Sequence, residues 1–178
     1  MDKAGYKKDA NGVRMKAVLD IIPYGEDWRR AGEYLKQVMG DIGIQLELRY
    51  EDVPTWLKRV YHNYDFEMNV NYFYQLPDPV LGVHRHYGTD QIRKGTHFVN
   101  SSRYSNPKLD ALLDSGAGEP DAGKRTAKYK EIQQILAEDM PVVNLFELEF
   151  LVVYNTKLKG VYDSAMGAYG SFREGYLD

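Results

Sequence analysis

The tightest constraint on the fold is the exchange of two periods within the first 75 residues. "MKAVLDII", from Met15, alternates every second residue: Met15, Ala17, Leu19 and Ile21 share one face, while the other carries Val18 and Ile22 between charges. After "PYGED" the period becomes 3.6 residues, and Trp28, Ala31, Leu35, Val38 and Ile42 recur on one side of a helix predicted from about Asp27 to Asp41. Glu26 and Asp27 fall where the helix dipole favours carboxylates. Gly43 follows the last periodic residue, a good helix stop. "IQLELRYE" then returns to period two, with Ile44, Leu46, Leu48 and Tyr50 inward and Gln45, Glu47, Arg49 and Glu51 toward water. Strand, helix and strand joined this closely predict a βαβ unit with parallel strands and a right-handed crossover.

The pattern continues once more. "VPTWLKRVYHN" reads as a shorter helix with Trp56, Val60 and Tyr64 on one side. "DFEMNVNYF" reads as a third strand with Phe66, Met68, Val70 and Tyr72 on one face. Beyond it, Val80 to Thr96 has no strong period and is expected to be a loop or short helix. "SNPKLDALLDSG" starts a helix clearly, with Asn106 as cap, Pro107 at the first helical position and Leu109, Leu112 and Leu113 as the apolar side. "GAGEPDAG" is a loop. A long amphipathic helix follows over Asp121 to Asp139, with Tyr129, Ile132, Ile135 and Leu136 as its stripe and Pro141 at its end. "VVNLFELEFLVVYN" reads as strand material, and the Gly- and Tyr-rich tail from Lys157 as irregular. The chain is thus α/β, a β-α-β-α-β start with additional helices and strands. A core of this size suits one domain over residues 1–178.

Composition excludes several function classes. A net charge of −3 and a pI near 5.8 argue against a nucleic-acid partner. No cysteine is present, which removes disulfides, thiolate metal sites and a cysteine nucleophile while leaving the compartment open. No apolar run is long enough to span a bilayer, and "MDKAGYKKDANG" has no secretion-signal core. Lys3 to Tyr6 looks like the tail of a helix stopped by Gly5, so the chain is expected to be a fragment of a longer one.

The catalytic constellations are missing. Four histidines are present, His62, His84, His86 and His97; His84 and His86 share a face only if the local chain is extended and have no carboxylate beside them at a standard ligand spacing, so surface histidines and no metal are expected. Glu147 and Glu149 fit an outward strand face better than an acid–base pair. There is no G-x-S-x-G elbow, and "GAGEPDAG" lacks the strand and lysine of a phosphate loop. What remains is the end of the third strand, "NVNYFYQLPDPV", with Tyr72, Phe73 and Tyr74 in succession. Ligands of open α/β sheets gather at the carboxyl ends of strands. Aromatic faces there suit a sugar, a peptide side chain or a planar solute.

The order of segments resembles a family. "AGYKKDANGVRM", "LKQVMGDIGIQLELRY", "PDP" at Pro77 to Pro79, "NSSRYSNPKLDALLDSG" and "KRTAKYKEIQQILAEDMPVVNLF" are similar, in this order and over nearly the whole chain, to blocks of the extracytoplasmic solute-binding proteins of ABC importers, the peptide-, nickel- and oligosaccharide-binding family. The resemblance implies a type II periplasmic-binding-protein lobe, most of the second lobe of a protein about three times longer. It implies a periplasmic or extracytoplasmic location, a small-molecule or peptide solute, ABC permease subunits and an N-terminal first lobe as partners, and no cofactor. In peptide-binding members an aspartate three residues before the DP aspartate pairs with the peptide amine. Here the DP aspartate is Asp78, a turn residue between two prolines, and the matching position is Gln75. A neutral amide can hydrogen-bond but cannot neutralise an ammonium. The expected ligand contacts are therefore Gln75, Tyr74 and Phe73, with Tyr72 more structural and Arg85 and His86 secondary. An α/β hydrolase or transferase using the histidines or the Glu147/Glu149 pair, and a non-transport receptor module, are the alternatives.

Overall fold

A computed structural model describes residues 1–76, 78–149, 152–161 and 170–178. They form two compact units, residues 1–141 and 142–178. The first holds strands β1 (Met15–Ile21), β2 (Ile44–Tyr50) and β3 (Met68–Val70) and helices α1 (Glu26–Asp41), α2 (Val53–Leu57), α3 (Pro79–Tyr87), α4 (Pro107–Ala117) and α5 (Ala122–Asp139). β1 lies between β2 and β3 and is parallel to both. Its closing residues Leu19, Asp20 and Ile21, and Ile22 just beyond them, are all buried, as befits a central strand covered on both faces.

α1 lies against β1 and β2 through Trp28, Leu35 and Met39, over a core of Leu19, Ile21, Ile44, Leu46 and Val70. The close approach is made at Gly32, where a Cβ would meet Ile21 Cδ1 at 2.7 Å. Gly43 ends the helix in the left-handed conformation at φ +88°. Ile42, expected on the apolar stripe, is instead exposed at the helix end. The inward face of β2 also fades toward its end: Ile44 and Leu46 are buried, but Tyr50 is exposed and takes the guanidinium of Arg29 over its ring at 4.8 Å.

The second helix departs from the predicted register. α2 runs on into a π turn over Lys58–Asn63. The wider turn brings Tyr61 beside Val60 and Trp56 in the core, while Tyr64 closes the turn at φ 53° rather than packing inward. β3 is shorter than the sequence suggests. Glu67, just before it, accepts the Val18 N–H at 2.6 Å through its carboxylate.

α4 and α5 form a third core of Leu109, Leu113, Ile132 and Ile135. Asn106 caps α4 by accepting the Lys108 and Leu109 N–H groups, and Asp121 caps α5 by accepting that of Lys124. In the second unit the only strands among the described residues are the two-residue pair β4 (Leu158–Lys159) and β5 (Tyr176–Leu177), antiparallel. The expected strand material of residues 142–155 is irregular where described, and Val143, Phe146 and Val153 are exposed. A strand needs a ladder partner for its N–H and C=O groups, and no described strand supplies one here. Phe150 and Leu151 lie outside the described residues, as does Pro77 of the Pro-Asp-Pro turn.

Candidate functional site

Beyond Val70 the chain leaves the sheet at its carboxyl edge, and the side chains of residues 71–75 divide into two groups. Asn71 faces inward: its amide donates to the Tyr61 hydroxyl at 2.6 Å, and its carbonyl accepts the Tyr72 N–H at 2.9 Å. Tyr72 stacks on Trp28 with ring centroids 5.4 Å apart, meets Tyr24 edge-on at 5.8 Å, and meets Tyr74 edge-on at 5.5 Å. Tyr72 thus anchors an aromatic group whose outer members, Tyr24 and Tyr74, are exposed.

Phe73 and Gln75 turn toward α3. The Phe73 ring lies 3.8 Å from that of His86, tilted by 40°. The Gln75 amide nitrogen lies 3.3 Å from His86 Nδ1, which fits donation by the amide and a proton on Nε2. His86 is only 3% exposed, so it is not the surface residue the sequence suggested. Burial, reinforced by the neighbouring Arg85, pushes the imidazole down to about 4, and the ring is neutral at physiological pH. Its Nε2 is buried and has no hydrogen-bond partner among the described residues, and the same is true of Arg85 Nε.

α3 is brought this close by a glycine. A Cβ at Gly82 would fall 2.4 Å from Gln75 Oε1 and 3.1 Å from Gln75 Cα. The helix begins at Asp78, whose Oδ1 accepts the Val80 N–H at 2.9 Å and an Arg125 N–H at 2.6 Å. These bonds hold the Asp78 carboxyl below the usual carboxylate range. The Arg125 guanidinium lies over the Tyr129 ring at 5.7 Å, and the Tyr129 hydroxyl reaches His84 Nε2 at 3.4 Å. The start of α3 is thus tied to α5 by one continuous set of contacts.

Sequence reasoning missed one charged site. Asp20, in the middle of β1, is fully buried, with Arg49 Nε at 3.0 Å on the neighbouring strand and Arg59 Nε at 3.8 Å. Arg59 also binds Glu51 through two hydrogen bonds, at 2.9 and 2.6 Å, and Asp65 at 2.5 Å. Arg49 and Glu51, assigned to water by alternation, therefore turn back to this cluster. Desolvation raises the Asp20 carboxyl to about 6 against the pull of both arginines. The visible signal was an aspartate inside an otherwise apolar strand end, "VLDII".

Two shallow surface hollows, one over Glu33, Tyr34 and Gln37 of α1 and one over Lys108, Glu131 and Gln134 of α4 and α5, contain none of these side chains. Glu147 and Glu149 are exposed in the second unit. What gathers at the end of β3 is aromatic rings, a carboxamide and a neutral imidazole. Such groups stack and hydrogen-bond; none of them is a nucleophile beside a base.

No family model matches the chain. It is 26% identical to the di/tripeptide-binding protein 1 of Pseudomonas aeruginosa over 83% of its own length and 26% of that protein. It is also 26% identical to the probable D,D-dipeptide-binding periplasmic protein of Escherichia coli, over 75% of this chain and 25% of that one. Its fold superposes on HbpA2 of Haemophilus parasuis with a TM-score of 0.77, at 19% identity, covering 99% of this chain and 34% of that one. The two curated relatives are named as peptide-binding proteins, and the chain is similar to a part of each. The fold is the type II periplasmic-binding-protein α/β lobe. The chain spans about a quarter of the length of these two curated relatives. These relatives are solute-binding proteins rather than enzymes.

Proposed function

We propose that residues 1–178 form most of the second lobe of a two-lobed solute-binding protein that works outside the cytoplasm and hands its solute to the permease subunits of an ABC importer. The lobe carries half of the solute site and performs no chemistry of its own. The observation that supports this best is the cluster at the carboxyl edge of the sheet. Tyr74 and Gln75 reach the surface there, backed by the packed Tyr72 on one side and by Phe73 and His86 on the other. Rings and neutral donors at that edge suit a small peptide-like solute. Arg85 is the secondary contact, suited to a carboxylate on the solute. Two lobes closing on the shared solute is the working motion. The exposed side chains of Val143, Leu145, Leu148, Val152 and Val153 are the surface we assign to contact with the first lobe.

The test is isothermal titration of the full-length protein with a panel of di- and tripeptides, free and amino-blocked. Gln75 offers no charge to an ammonium, so blocking the amine is expected to change affinity little in the wild type. Gln75→Asp is expected to add affinity for the free-amine forms, by roughly ten-fold for a newly paired charge. The same affinities in the variant across the panel would remove Gln75 from the site.

A further inference from the structure

Of the four histidines, two meet in space although 35 positions separate them in the chain. His62 lies in the π turn after α2, and His97 lies in the segment before α4; both are exposed. Their Nε2 atoms are 3.3 Å apart, and the ring centroids 5.4 Å. His84 and His86 are the two nearest in sequence. In the fold those two sit on α3 with separate partners, Tyr129 and Gln75.

The His62–His97 pair is held by buried neighbours. Tyr61 is 0% exposed, its carbonyl accepts the Gly95 N–H at 2.8 Å, and its ring lies 5.8 Å from that of His97. A Cβ on Gly95 would lie 3.4 Å from His62 Cε1, so the loop backbone packs on the imidazole. Phe98, next to His97, adopts a left-handed φ of +57°, a conformation rare for a ring-bearing residue, and packs its own ring 5.7 Å from Tyr61.

Two imidazole nitrogens at this distance can share a hydrogen bond or a cation. Zinc binds imidazole nitrogen at about 2.0–2.1 Å, so two ligands at the tetrahedral angle stand about 3.3–3.4 Å apart. The separation here already meets that requirement without moving either ring. We propose that His62 and His97 form a two-imidazole site for zinc or another borderline divalent cation, with water in the remaining positions. Among the described residues no group of three or more histidines, aspartates or glutamates is placed to hold a metal, so the site is open on its solvent side and its cation exchangeable. It uses none of the side chains assigned to the solute, and the two readings stand or fall separately.

The test titrates zinc alone into the tag-free, chelator-treated full-length protein by calorimetry, with thermal melting in parallel. Wild type and His84→Ala are expected to take up one zinc with equal affinity and to melt at higher temperature in its presence. His62→Ala and His97→Ala, each confirmed as folded by circular dichroism, are expected to bind roughly ten-fold or more weakly, as are the polar replacements His62→Gln and His97→Gln. No uptake by the wild type, or equal affinity in the His62 and His97 variants, would overturn the assignment.

Discussion

Asp20 and His86 are buried titratable groups with opposite effects on stability. The folded-state value of Asp20, about 6, lies above the ordinary aspartate value of about 3.9, so unfolding releases a proton between those pH values. This group therefore favours the unfolded chain increasingly as pH rises from 4 to 6. His86 falls to about 4 from an ordinary value of about 6.5, so the unfolded chain takes up a proton that the folded one refuses as pH drops through that range. The two slopes oppose each other in the same window. Asp20→Asn removes one of them: relative to wild type, the variant is expected to gain on the order of 2 kcal/mol between pH 4 and pH 7 in urea unfolding. A difference that does not vary with pH would mean that Asp20 stays ionised in the folded chain. Gly82→Ala tests the contact between α3 and the strand end. The Gln75 side chain can swing away from the new methyl, but Gln75 Cα, 3.1 Å from it, cannot. A loss of about 1–2 kcal/mol is expected, with weakened solute binding in the full-length protein. Unchanged stability and binding would show that the two segments need not touch.

At the scale of elements, the sequence was most legible where one face alone is buried. The 3.6-residue stripe of α1, apart from Ile42, and the Asn106-Pro107 start of α4 appear in the fold within a residue or so of where they were read. Legibility failed where the buried positions are not apolar in type. α3 buries Gly82 and His86, four residues apart, and neither adds to a hydrophobic period. The π turn after α2 cannot be read from spacing, because it inserts a residue per turn and exchanges Tyr64 for Tyr61 in the core. Residues 142–155 carry apolar residues in strand-like density, yet a strand also needs a neighbour, which composition does not supply. The rings at the end of β3 were legible as a cluster; that Phe73 and Gln75 both turn to a buried imidazole was not. The cap at Asp78 makes an element-scale prediction. Asp78→Ala is expected to speed hydrogen exchange in the first turn of α3 and leave α4 and α5 protected. Exchange unchanged in α3 would show that Pro79 and the packing of Gly82 fix the turn without the carboxylate.

At the scale of the molecule, the central claim is that the carboxyl edge of a three-stranded parallel sheet, furnished with rings and an amide and no reactive pair, holds a solute. Native mass spectrometry of the full-length protein, purified without unfolding, tests it most directly. The account predicts a released small molecule in the mass range of short peptides or related solutes, carried by the wild type and lost from Tyr74→Ala and Gln75→Ala. A solute that both variants retain, or a solute-free protein that turns a substrate over, would contradict it.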